Sequence, residues 1–230
     1  MKQVLLEILS VATVLSFFVP LLIVLLKKLL RDPFFMSFAI YWATSGVLGL
    51  IDFIPAFPKH ISQTIGAVYN MLDIPIVLGI LYYTSTSLLV KKFTSIAFIF
   101  YVLLEAAGVV IKGVNYEALK YPLATGLALV MIVIGWEIIR YLQKVEHSNR
   151  QNAKVLIYAA LIFEYACYIV VYIVDYFTTE TDYQSLKPDM FLIYYISSLI
   201  GILIASSGYL IHKKYKKKEP LINEVKIDII

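Results

Sequence analysis

Apolar runs alternate along the chain with short polar breaks, near residues 4–26, 33–54, 64–86, 93–111, 122–142, 154–177 and 190–212. Each run is long enough, at 1.5 Å per residue, to cross a hydrocarbon layer about 30 Å thick. Lipid offers the backbone no hydrogen-bond partner and the runs are too long for barrel strands, so the pattern predicts helices. The fold class is therefore all-α, a polytopic membrane domain over residues 1–212 followed by a basic tail, 213–230. The first run has Lys2 before it and Lys27, Lys28 and Arg31 after it. Its apolar stretch exceeds that of a signal peptide, so a retained helix is expected.

Charge placement gives an orientation. Of the twenty Lys and Arg residues, fifteen fall after the odd-numbered runs (27–31, 91–92, 140–154 and the tail) and five in the other set. The positive-inside rule then predicts an N-terminus outside and a cytoplasmic C-terminus. Composition agrees with the membrane class: 60% of residues are hydrophobic and 16% charged, with a mean hydropathy of +0.81. A soluble domain is nearer a quarter charged. No Asn-x-Ser/Thr sequon is present, which fits a multi-pass protein of a bacterial inner membrane. The bilayer is the expected partner, and nucleic acid is not.

Several chemistries are excluded. A retinal protein needs a lysine at mid-depth in its last helix, and the seventh run has none before Lys213. Zinc needs converging His, Cys or carboxylate ligands. His60, His147 and His212 instead lie near span ends on both sides, and Cys167 is the one cysteine. Phosphate loops, Gly-x-Ser-x-Gly elbows and His-Glu-x-x-His are absent, so no known catalytic arrangement supports an enzyme, though none of this excludes one, and no metal or cofactor is expected.

Acid without base marks the candidate site. Asp73, Glu105 and Glu164 each fall ten to twelve residues into a span, near the bilayer midplane, with no Lys or Arg at that depth. An ionised carboxylate there costs about 2.5–3.5 kcal/mol on insertion scales, so such residues face inward and tend to serve function. Helical spacing groups Tyr69, Asn70 and Asp73 in the third span, with Pro75 to kink it. The fourth span carries a stripe of Thr94, Tyr101, Glu105, Gly108 and Lys112, and the sixth aligns Glu164, Tyr168, Tyr172 and Asp175. The second aligns Trp42, Ser45, Gly49 and Asp52. Protonated carboxyls hydrogen-bonding tyrosines across helix interfaces would explain each acid singly. Three acids sharing one wet, tyrosine-lined cavity would suit a proton, a cation or a small polar solute, with cation–π contact from the rings.

The seventh span carries a small-residue stripe, Ser197, Gly201, Ala205 and Gly208, which suits close helix packing. At an offset of 122 residues, Ile74, Gly79, Ile80, Leu81 and Ser85 match Ile196, Gly201, Ile202, Leu203 and Ser207, a hint of two triplets joined by the fourth span. The tail's lysine cluster reads as a topology anchor, and 221–230 alternates like a strand that a partner's sheet could take up.

Tyr69, Asp73, Tyr82 and Tyr83 resemble the Tyr-x-x-x-Glu and Tyr-Tyr pattern of an uncharacterised bacterial family of seven-helix inner-membrane proteins. The similarity covers roughly the first four spans, with Asp73 where that pattern has glutamate. It implies the fold and location and brings no known activity, substrate or cofactor. Three functions stay open: a small transporter or channel-like protein using the midplane carboxylates, a ligand sensor signalling through a cytoplasmic partner at residues 140–154 or the tail, and a structural subunit of a membrane complex.

Overall fold

The computed structural model describes residues 2–51, 53–54, 57–178 and 180–212. Asp52 and the 213–230 tail lie outside them. Eight helices are formed among these residues, and no strand: α1 (Lys2–Ser16), α2 (Val19–Leu26), α3 (Pro33–Ile51), α4 (Lys59–Thr84), α5 (Leu88–Lys112), α6 (Tyr116–Leu142), α7 (Asn149–Phe177) and α8 (Glu180–Ile211). Seven stretches are long and apolar enough to cross a membrane, α1 and α2 together making the first. The chain is an integral membrane protein with a seven-span helical bundle.

Local chemistry explains the ends. Pro20 has no N–H to donate, and the Phe18 N–H reaches the Leu15 carbonyl at 3.3 Å, so the first span tightens and breaks between Ser16 and Val19. The break is accommodated by Gly46 of α3, where a Cβ would meet the Phe18 ring at 2.9 Å. Ser87, Asn115 and Ser148 cap α5, α6 and α7, the last in a reciprocal box with Gln151. Gly113, at φ 78°, ends α5 in a backbone conformation that glycine adopts without strain. The last helix begins well before the expected residue 190 and runs through Pro188, where the polar residues of 180–187 mask a helix from hydropathy.

Neighbours along the chain pack against each other, and α8 closes the bundle on α1 and α2. This sequential order does not require two repeated triplets. In addition α4 packs on α6, which leaves α5 outermost. Only 17% of its apolar window is buried, against 28–39% in the other spans, so α5 is the most lipid-facing.

The end of the bundle that carries Lys27, Arg140 and Arg150 is shut. Phe34, Phe35, Phe38 and Trp42 follow one face of α3 and are essentially inaccessible. Phe34 meets the Tyr158 ring edge-on at 5.3 Å, and Phe35 meets Tyr209 at 5.6 Å. The Tyr209 hydroxyl donates to the Phe35 carbonyl at 3.1 Å, and the His212 ring stacks on Phe35 at 4.4 Å. Lys27 donates to the carbonyls of Tyr209, Leu210 and His212 at 3.1, 2.5 and 2.7 Å, so it caps the open end of α8. Arg150 grips Asp32 through two nitrogens at 2.7 and 3.1 Å, tying the α2–α3 link to α7. Burial alone would raise the Asp32 carboxyl, but the Arg150 hydrogen bond and charge, the Phe34 N–H and Lys154 outweigh it and hold it below the usual range.

Candidate binding cavity

A cavity of about 620 Å³ enters the bundle from the opposite end. Its lining runs from Ile51, Phe53 and Ser62, around the α3–α4 link, down to Trp42, Asp73 and Glu164. Below Trp42 the aromatic core blocks further passage, so the cavity is blind. Helical spacing brings the polar groups to one place. On α3, Tyr41, Trp42 and Ser45 share the inward arc, and on α4 Tyr69 and Asp73 are one turn apart with Asn70 beside them. From α7 come Glu164, Tyr165 and Tyr168, and from α8 Tyr194, Tyr195, Ser197 and Ser198. α1 adds Ser10 and Thr13, and no Lys or Arg is among the described lining residues.

Asp73 is held between two tyrosines of different helices. The Tyr41 hydroxyl donates to Oδ1 at 2.9 Å and the Tyr165 hydroxyl to Oδ2 at 3.1 Å, the two hydroxyls standing 3.2 Å apart. Glu164 accepts from Trp42 Nε1 at 3.2 Å through Oε2. Its Oε1 is buried and has no hydrogen-bond partner within the protein. This carboxyl lies directly against Gly201 of α8, where a Cβ would overlap it. A Cβ at Gly208, lower on the same stripe, would stand 2.8 Å from the Ala153 carbonyl, so small residues let α8 pack tightly on α7. The hydroxyls of Ser45 and Tyr69 are in short contact.

The sequence-predicted residues divide. Asp73, Glu164, Tyr69, Asn70 and Tyr168 line one cavity. Glu105 does not, which corrects the expectation of three acids in one chamber. The reason is α5's outer position, with α4 and α6 between it and the cavity. Its polar stripe faces those helices instead. The Tyr101 ring packs where a Gly126 Cβ would stand, its hydroxyl has no partner in the protein, and Gly108 lets α5 approach the Ala118 carbonyl. Glu105 is half-buried there, with Oε1 also unpartnered. Tyr172 turns to the Lys120 carbonyl of α6, and Asp175 is exposed a turn further on. Asp52 is outside the described residues.

Sequence reasoning missed Tyr41, Tyr165, Tyr194 and Tyr195. Tyr165 follows Glu164 by one position, about 100° around the helix, so a single-stripe assignment of the sixth span leaves it out. Because α7 packs on both α6 and α8, it shows the bundle more than one stripe. The legible signal for Tyr41 was its place beside Trp42, three and four residues before Ser45.

Among the described residues no three His, Cys, Asp or Glu side chains come together to hold a metal ion. Comparisons with protein-family models, with curated proteins and with solved structures each return no match.

Proposed function

We propose that this protein moves small organic cations of the ammonium class across a membrane, taking them into the blind cavity above Trp42. The single observation that supports this most is the pairing of two carboxylates, Asp73 and Glu164, with a ring of tyrosines and no basic residue among the described lining. Carboxylates desolvated at this depth favour a cationic partner, and each ring face presented to it contributes about 0.5–2 kcal/mol by cation–π attraction. A cavity shut at one end has the form of a carrier caught open to one side. In that cycle the pair Asp32–Arg150 and the Lys27 cap form the closed gate, and the broken first span and Pro75 are the places to bend.

The positively charged end faces the cytoplasm in this proposal, in a bacterial inner membrane, with membership of the uncharacterised seven-helix family suggested by Tyr69, Asp73, Tyr82 and Tyr83. Fusions of a fluorescent protein and of alkaline phosphatase at residue 212 test the orientation: fluorescence without phosphatase activity is expected. Transport is tested in proteoliposomes loaded with buffer and given methylammonium, choline or tetramethylammonium. Uptake of at least one is expected, falling at least tenfold in Asp73→Asn and Glu164→Gln. No uptake of any of them over empty liposomes overturns transport of this class. The blind form also favours a second reading, a ligand sensor that signals through a cytoplasmic partner at residues 140–154 or the tail. Saturable binding without flux would select it.

A further inference from the structure

At the other end of the bundle a second cleft of about 120 Å³ opens between the α4–α5 link, the end of α6 and the start of α7. Four cations line it, Arg140 and Lys144 from α6 and Arg150 and Lys154 from α7, against one acid, Glu137. Such a gathering repels itself unless an anion is present. Part of the positive charge is held internally, but donors remain. Arg140 meets Glu137 through Nη1 at 3.5 Å, and Ser85 holds the other oxygen of that carboxylate at 2.5 Å. Arg150 spends Nε and Nη2 on Asp32. Each guanidinium therefore keeps an edge for another acceptor. Lys144 is exposed at the rim. Thr84 and Thr86 also line the cleft, the Thr84 hydroxyl donating to the Ile80 carbonyl at 2.7 Å, and the first turn of α7 adds the positive end of a helix dipole.

From this convergence of Arg140, Lys144, Arg150 and Lys154 on one small cleft, we infer that it binds a phosphate group. At about 120 Å³ the cleft has room for a tetrahedral oxyanion. Guanidinium forks and ammonium groups match phosphate oxygens in geometry and charge. The end of α6 and the start of α7 are where two spans meet the polar boundary, so the phosphate comes either from an anionic lipid or from solution. The site is separate from the cavity and does not rest on the transport proposal, although Arg150 also belongs to the closed gate of that reading.

The test uses the full chain, purified and delipidated in a non-ionic detergent. Its unfolding temperature is followed by tryptophan fluorescence against sodium phosphate, with sodium chloride at matched ionic strength as reference. A parallel arm compares nanodiscs of phosphatidylcholine with nanodiscs that also contain phosphatidic acid. Saturable stabilisation is expected in at least one arm. Arg140→Gln/Lys144→Gln should weaken it at least tenfold, while Lys92→Gln, an exposed charge removed from the same end, should leave it unchanged. If the double variant does not fold, Lys144→Gln alone still reports, with a weakening of a few fold. Stabilisation by phosphate alone assigns a soluble source, by phosphatidic acid alone a lipid source, and by both a site that reads the phosphate whatever carries it. No stabilisation beyond chloride and phosphatidylcholine, or the same stabilisation in the variants, overturns the inference.

Discussion

Gly201→Ala is the smallest change that tests the geometry around Glu164. Alanine in place of a mid-helix glycine gains about 1 kcal/mol in helix propensity where nothing obstructs the new methyl. At Gly201 the methyl would occupy the space of the Glu164 carboxyl. Either α8 moves off α7 or Glu164 leaves its rotamer and its bond to Trp42. Overpacking of this kind costs about 1–3 kcal/mol, so the net effect is destabilising by roughly 0–2 kcal/mol. At Gly79 and Gly135 an added methyl would have nothing within 4 Å, so there the gain stands alone. The predicted gap between Gly201→Ala and Gly79→Ala is therefore about 1–3 kcal/mol. Unfolding by increasing SDS in dodecylmaltoside micelles measures it, with Gly135→Ala as a second reference. The Trp42 emission should also shift in Gly201→Ala alone. Equal stabilisation at all three positions would refute the placement of Glu164 against α8.

Lys27→Met removes three charge-assisted contacts from the end of α8 and should cost about 1–3 kcal/mol, with faster hydrogen exchange at the amides of residues 205–212. Asp32 is held ionised by Arg150, so its share of the stability is complete above the ordinary aspartate pKa of about 4 and is lost as pH falls through the depressed folded value. Wild type should then lose stability below about pH 4 that Asp32→Asn, already without the ion pair, does not lose, as read by melting between pH 6 and 3. Tyr41→Phe and Tyr165→Phe each remove one donor to Asp73 and should cost about 0.5–2 kcal/mol apiece. A double-mutant cycle should show them coupled, because both act on one carboxylate.

The spans were legible because lipid imposes one rule on every helix, a run of about 20 apolar residues. The break in the first span follows from Pro20, which cannot complete the ladder. The start of α8 was not legible, since its polar first turns carry no hydropathy signal. At the site, Asp73 and Glu164 could be placed by depth alone. Depth says nothing of a helix's place around the bundle, and that is what separates Glu105 from them. α5 is close to α4 in length and carries a carboxylate at a similar level, yet stands on the rim because α4 and α6 meet behind it. The tyrosines that hold Asp73 were hidden for a related reason. They come from α3 and α7, and no spacing within one helix reports a contact between residues 41, 73 and 165.

Trp42 offers the most direct test of the cavity, because its indole donates to Glu164 at the floor. With Trp136→Phe as background, Trp42 is the sole tryptophan of the chain. Titrating methylammonium, choline and tetramethylammonium into this protein should give a saturable change in Trp42 emission with at least one of them, lost in Asp73→Asn/Glu164→Gln. An emission that none of the three changes, or a change that persists without both carboxylates, would contradict the cavity as a cation site.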